Sequence, residues 1–182
     1  MRVVRAAVAA AVLALLGLLV WDVAHNHGSG VAGKVDKGKI VAAPKLDLPR
    51  LGATGKLSLS SLRGKVVVVN FWESDCVPCR EEAQAFNQVA KDDAAKGVAF
   101  VGIDDRDQKA GAISFDTVHH VTYPSIFDPT GSLALQFPHA EPASTPTTIV
   151  IDRAGDIAAK VSGELDYTHL VPLVNAVLRE QA

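Results

Sequence analysis

The sequence predicts an α/β fold, a central mixed β-sheet flanked by helices and preceded by an N-terminal membrane anchor or signal segment. Three observations lead there. Arg2 and Arg5 stand ahead of an uncharged apolar run, Ala6 to Trp21. Beyond residue 40, continuous β-branched runs alternate with stretches whose apolar residues recur at helical spacing. The chain then closes on two short strands and one helix, the order expected of strands and helices layered around one core.

The N-terminal run is sixteen residues long, slightly more than a signal-peptide core of roughly 7–15 and just short of the ~17 that a spanning helix needs. The flank Asp22-Val23-Ala24-His25-Asn26 lacks a clean pair of small residues for a signal peptidase, and no cysteine is there to take a lipid. Residues 1–24 therefore read as an uncleaved anchor, with a cleaved signal as the alternative. A buried helix of a soluble protein fits less well, because no polar face interrupts the run. Positive residues before it and none close behind place the N-terminus in the cytoplasm and the rest outside. Residues 25–39, rich in Gly, His and Lys, read as a flexible linker in which His25 and His27 are solvated. Residues 40–182 are enough for one domain.

Within that domain, Lys45–Leu48 and Lys56–Leu59 alternate on either side of a turn and predict a small hairpin. Ser60–Leu62 predicts a single helical turn. Val66–Trp72, VVVVNFW, predicts a central strand buried on both faces. From Pro78 to Asp93, Ala83, Phe86, Val89 and Ala90 share a helical face. Val98–Ile103 predicts a second buried strand that ends in Asp104-Asp105. Ala110–Val118 predicts an amphipathic helix with Ile113, Phe115 and Val118 as its apolar contacts. A short strand around Ile126-Phe127 is followed by the turn Asp128-Pro129-Thr130-Gly131, and Ser132–Phe137 predicts a short helix. Thr147–Ile151 and Ile157–Val161 predict strands joined by Asp152-Arg153-Ala154-Gly155. Asp166 or Thr168 caps a last helix that runs to Leu178. This order is the thioredoxin layout.

Composition narrows the function. The net charge is -2, and it is -3 once Arg2, Arg5 and Asp22 are set aside. No basic patch is present to release phosphate counterions, which argues against nucleic acid as a partner. The two cysteines, Cys76 and Cys79, close too short a loop for a bridge between them to add much stability, so the pair points to chemistry. A thiolate attacks a disulfide, and the attacking sulfur must be exposed and partly ionised. Where strand gives way to helix, Cys76 lies near the free N–H groups of the first turn, and the helix dipole favours negative charge there. Pro78 is tolerated in that turn because it needs no donor. Cys79, one turn inward, is the less exposed sulfur. Cys76 is thus the nucleophile and Cys79 the thiol that resolves a mixed disulfide. No cofactor is required.

Other chemistries fit the same residues less well. Zinc would need about four ligands, so His119, His120 or His139 would have to converge on the pair. Copper handling by two thiols with His120 or His139 is a second alternative, since soft thiolates suit Cu(I). A thiol peroxidase is a third, but it would need a threonine-containing loop where this chain has Glu73-Ser74-Asp75.

The pieces APKLDLP, LSSLRGKVVVVNFW, CVPCREE, TYPSIFDPTG, TPTTIVIDRAG and the GEL before the last helix occur together in order. From about Ala43 to Leu178 the chain resembles the TlpA, ResA and DsbE (CcmG) group of thioredoxin-like proteins. The resemblance implies dithiol–disulfide exchange with exported proteins, fed by a membrane electron donor. In some relatives it implies reduction of the haem-binding cysteines of apocytochrome c. It places the redox pair on Cys76 and Cys79 and a cis-proline on Pro146, with the backbone of Thr145 offered to a substrate strand. It places a buried acid on Glu82, three residues beyond Cys79 and on its helical face, where a carboxyl can exchange a proton with Cys79. The alternative for Glu82 is an exposed first-turn acid that complements the dipole. Asn70 stands where thioredoxin has a buried aspartate. Two departures are Asp75, where the group usually has tryptophan, and Gln84, where proline is common. A carboxylate at Asp75 opposes ionisation of Cys76.

Overall fold

The computed structural model describes residues 32, 33 and 41–180. The anchor or signal reading of residues 1–24, and most of the linker with His25 and His27, lie outside them. In chain order the strands are β1 (Ala32–Gly33), β2 (Asp47–Pro49), β3 (Lys56–Ser58), β4 (Val66–Trp72), β5 (Val98–Asp105), β6 (Ser125–Asp128), β7 (Thr147–Ile151) and β8 (Ile157–Ser162). The helices are α1 (Val77–Asp93), α2 (Lys109–Val118) and α3 (Tyr167–Arg179). Single 3-10 turns occupy Leu59–Leu62, Ala94–Lys96 and Ala134–Gln136.

The main sheet has the order β1-β8-β7-β4-β5-β6, and β2 and β3 form a separate antiparallel pair. β4 lies at its centre, parallel to β5 and antiparallel to β7. All seven β4 residues are buried, as a strand covered on both faces requires. Its alternate side chains feed two cores. Val67, Val69 and Phe71 pack with Val101, Ile103, Ile149 and Ile151 under a cover that includes Leu46, Leu59, Leu133 and Phe137. Val66 and Val68 pack with Phe86 and Val89 of α1 and with Leu170, Val174 and Val177 of α3. Each such side chain contributes roughly 1.5–3 kcal/mol on burial, so β4 is fixed from both sides.

Helix limits follow local chemistry. Cys76 is the N-cap of α1, and Pro78 falls in the first turn, where its missing N–H leaves nothing unpaired. After the 3-10 turn the chain reverses at Gly97, whose φ of 80° suits glycine. α3 starts at Asp166, whose carboxylate accepts the His169 N–H at 2.9 Å, and the Thr168 hydroxyl donates to that carboxylate.

Several expectations shift. β5 runs on through Asp104 and Asp105, which pair in register with Phe127 and Asp128 of β6. The hairpin's first strand lies at Asp47–Pro49, and Ser132–Phe137 narrows to one 3-10 turn. Ala32–Gly33, read as linker, pairs with Val161 and Lys160 of β8. The buried face of α2 is also different: Ala112 and Phe115 are buried, while Ile113 is 40% and Val118 66% exposed. The helix approaches the molecule so closely at Gly111 that a Cβ there would lie 2.6 Å from Ser74 Oγ. Ala112 and Phe115 therefore face inward, and Ile113 and Val118 are turned out.

A second close approach supports the site. Gly102 of β5 stands opposite Asn70 of β4 and Ser125 of β6, and a Cβ at Gly102 would lie 2.7 Å from the Trp72 indole nitrogen and closer still to Ser125 Oγ. Gly102→Ala is expected to destabilise the protein by ~1–3 kcal/mol through overpacking, read as a lower urea midpoint.

Candidate active site

β4 ends at Trp72, and α1 begins at Val77. Between them the chain presents Cys76 with extended backbone, φ -75° and ψ 111°, and its Sγ accepts the Cys79 N–H at 3.1 Å. Cys76 and Cys79 are joined in a disulfide with Cα atoms 5.2 Å apart. Cys76 is 8% exposed and Cys79 2%, so the outer sulfur is the one a partner can reach. When the bond is reduced, the N–H groups of the first turn favour a thiolate at Cys76.

The three residues ahead of Cys76 are held from three directions. The Thr145 hydroxyl donates to Glu73 Oε1 at 2.6 Å. Asp107 Oδ2 accepts the Ser74 N–H at 2.7 Å. Arg80 donates to the Ser74 carbonyl through Nη2 at 2.7 Å and Nε at 3.1 Å. Asp75 is fully exposed, with Arg80 Nη2 3.8 Å away. So exposed a pair contributes little to stability, but its cation offsets the carboxylate that stands next to Cys76.

The Thr145–Pro146 peptide is cis. The Pro146 carbonyl accepts the Gly163 N–H at 2.9 Å, while the Thr145 backbone makes no hydrogen bond to another described residue. Thr145 thus reaches the redox loop by its side chain and leaves its backbone groups open.

Glu82 is 3% exposed, which removes the alternative of a solvated first-turn acid. Asn70 Nδ2 donates to its Oε1 at 2.8 Å, and the Leu165 N–H donates to Oε2 at 3.1 Å. Burial pushes its carboxyl up to about 8 against those two hydrogen bonds, with Glu164 adding to the rise. Asn70 is therefore more than a missing acid, since it is the polar partner that lets a carboxyl sit inside the fold. Asn70 falls in a strand that the sequence predicts to be buried, and an amide inside VVVVNFW is a signal from which a facing polar partner could have been found. The Thr145–Glu73 and Ser74–Asp107 bonds had no such signal, because each joins residues far apart in the chain.

Among the described residues, no group of three or more His, Cys, Asp or Glu side chains is placed to hold a metal ion, and His119, His120 and His139 join no such group around the cysteines. The His119 ring packs on Phe115, 4.4 Å between centroids. A cleft of about 440 Å³ adjoins the redox loop and is lined by Ser74, Asp75, Arg80, Phe115, Val118 and His119. A larger one, about 620 Å³, lies between α1 and the Phe100–Tyr123 region and includes neither cysteine.

A mixed sheet with a helix-capping cysteine, a second cysteine one turn inward and a cis-proline defines a thioredoxin-like thiol-disulfide oxidoreductase. The chain belongs to the AhpC/TSA family, whose family model matches residues 41–160. It is 33% identical over 124 residues to the thiol:disulfide interchange protein DsbE of Pseudomonas fluorescens biotype C, a match spanning 68% of this chain and 66% of that one. It is 30% identical over 158 residues to DsbE of Escherichia coli, spanning 85% of this chain and 82% of that one. The crystal structure of a DsbF homologue from Corynebacterium diphtheriae superposes with a TM-score of 0.72 at 29% identity, covering 82% of this chain and 94% of that one.

The raised Glu82 carboxyl has a sign that can be checked. Between its ordinary 4.5 and about 8, the folded chain keeps a proton that the unfolded chain has lost. Stability therefore falls as pH rises through that window, by up to ~1.4 kcal/mol per unit, and levels off above it. Buried Asp104, also pushed up to about 8, slopes the same way. Glu82→Gln is expected to flatten part of the decline between pH 5 and 8 in urea-denaturation series. An unchanged slope would mean that Glu82 ionises normally.

Proposed function

We propose that this protein is an extracytoplasmic disulfide reductase or exchanger for exported proteins, apocytochrome c among the candidate substrates, held at the membrane by residues 1–24. Cys76 at the helix start and Cys79 one turn inward carry the reading. In the reducing direction, the Cys76 thiolate attacks one sulfur of a substrate disulfide. That S–S bond breaks, and the departing substrate sulfur takes a proton. Cys79 gives its proton to the Glu82 carboxylate and attacks Cys76 Sγ. The Cys76–Cys79 bond forms as the mixed disulfide breaks, and the second substrate sulfur leaves. Two electrons pass to the substrate, and a membrane electron donor must return two. The open backbone of Thr145 beside Pro146 is suited to pairing with the substrate strand.

The division of labour between the sulfurs is tested by replacement. Cys79→Ser should permit attack and block release, so a covalent complex with the physiological partner accumulates on non-reducing gels, while Cys76→Ser traps nothing. The opposite pattern would reverse the roles. The reduction potential tests direction: a value near about -250 mV or below supports reduction, and one near about -120 mV supports oxidation.

The membrane placement rests on residues 1–24, since no described helix is long and apolar enough to cross a membrane. Arg2 and Arg5 ahead of the apolar run support an N-terminus in the cytoplasm. Alkaline phosphatase fused after Ala182 should be active in cells. A stable but inactive fusion would refute the orientation.

A further inference from the structure

Asp104 lies near the end of β5, beside Trp72 of β4 and Phe127 of β6 in the sheet register. Its side chain is completely buried, and neither carboxyl oxygen meets an N–H or O–H donor among the described residues. An ionised carboxylate left in that position would be heavily penalised. Of the neighbouring acids, Asp107, three residues further on, acts on it most strongly, ahead of Asp116 and Asp105. Asp107 is already committed as an acceptor, with Oδ2 taking the Ser74 N–H at 2.7 Å and Oδ1 the Gln108 N–H at 2.5 Å. Two carboxyls can bond only by sharing a proton, and those donors decide its place: Asp107 stays ionised and Asp104 carries it. There is little slack around the contact. A Cβ at Gly111 of α2 would fall 2.6 Å from Ser74 Oγ and 3.4 Å from Asp107 Oδ1.

We propose that Asp104 is a positioning residue for the redox cysteine, its protonated carboxyl fixing the Asp107 carboxylate so that Asp107 grips the Ser74 N–H two residues ahead of Cys76. Loss of the Asp104 proton would set two carboxylates against each other and loosen the approach to Cys76. The groups facing Asp104 all favour keeping the proton. Asp107 comes from the loop before α2, Asp116 from α2 and Asp105 from β5 itself. The nearby cation, Arg106, is held by Asp105 at 2.9 Å. β4 offers Trp72, and β6 offers Ser125, whose hydroxyl has no partner among the described residues. Burial first, and then these acids, push Asp104 up to about 8. Burial works against ionisation of Asp107 as well, but its hydrogen bonds with Ser74, Gln108 and Asp104 outweigh it and hold that carboxyl below the ordinary range.

The proposal takes disulfide exchange at Cys76 as given, yet the pair can be read without it. In the full-length oxidised protein neither cysteine titrates, so the Ser74 amide proton can be followed by NMR from about pH 6 to about 10. Its shift should step with a midpoint near 8 in the wild type and equally in Glu82→Gln, which removes the other buried acid. The step should vanish in Asp104→Asn, which keeps a donor for Asp107 but no titrating proton. In the reduced protein at neutral pH, iodoacetamide should modify Cys76 of Asp104→Asn within about twofold of the wild-type rate. Asp107→Ala should slow it by about fivefold or more, as misplacement of a reacting group does. No step in the wild type, a step that survives in Asp104→Asn, or an Asp107→Ala protein that reacts at the wild-type rate would each overturn the proposal. If Asp107→Ala does not fold, the Asp104→Asn titration decides alone.

Discussion

A strand buried on both faces must give way to a helix within a few residues, and the redox chemistry is arranged around that junction. β4 is rigid because all seven of its residues are covered. α1 is rigid because Phe86 and Val89 lock it to the same core. The chain between them has no regular hydrogen-bonding pattern, so outside groups must hold it. Thr145, Asp107 and Arg80 do so. With both ends fixed and the middle clamped, Cys76 is the N-cap and Cys79 falls one turn deeper. The difference in exposure between two identical side chains follows from their place on the helix, and in the proposed exchange it separates attack from release.

Much of this could be read in the sequence because the decisive signals are local. VVVVNFW announces a doubly buried strand, and the proline two residues after Cys76 announces a helix's first turn. Where the reading slipped, the controlling fact was spatial. The inner face of α2 is set by how closely Gly111 approaches Ser74, which no periodicity of large apolar residues reveals. The extension of β5 through two aspartates depends on their pairing with β6. Asn70 could be placed in the strand, but its bond to Glu82 spans twelve residues and two elements.

The site is unusually rich in carboxyl groups, and they are not equivalent. Glu82 and Asp104 are both buried and both raised to about 8, so near neutral pH each is mostly a neutral acid. Asp107 and Asp75 stand in different surroundings, the first pulled down by its donors and the second exposed beside Arg80. Neither Glu82 nor Asp104 has a cation beside it among the described residues, and a buried charge without an opposite charge costs several kcal/mol against a total stability of ~5–15 kcal/mol. Protonation resolves the conflict and leaves two ionisable groups behind the cysteines, each with a different neighbour to act upon.

That arrangement bears on timing in the proposed exchange. Attack by Cys76 needs only its own thiolate, which the helix start favours. Release needs Cys79 to lose a proton, and Glu82 can accept it only when ionised. With a carboxyl near 8, about a tenth of molecules have an ionised Glu82 at pH 7. Capture and release therefore answer to different protons. Capture follows the accessible sulfur, while release is held back until the buried acid ionises. The mixed disulfide is then longest-lived on the acidic side of neutrality, where Glu82 is almost wholly neutral. In such a design burial of Glu82 is the adjustable element, and the bond from Asn70 is its counterweight. Strengthening that bond would lower the carboxyl and speed release, whereas losing it would raise the carboxyl and prolong the covalent complex.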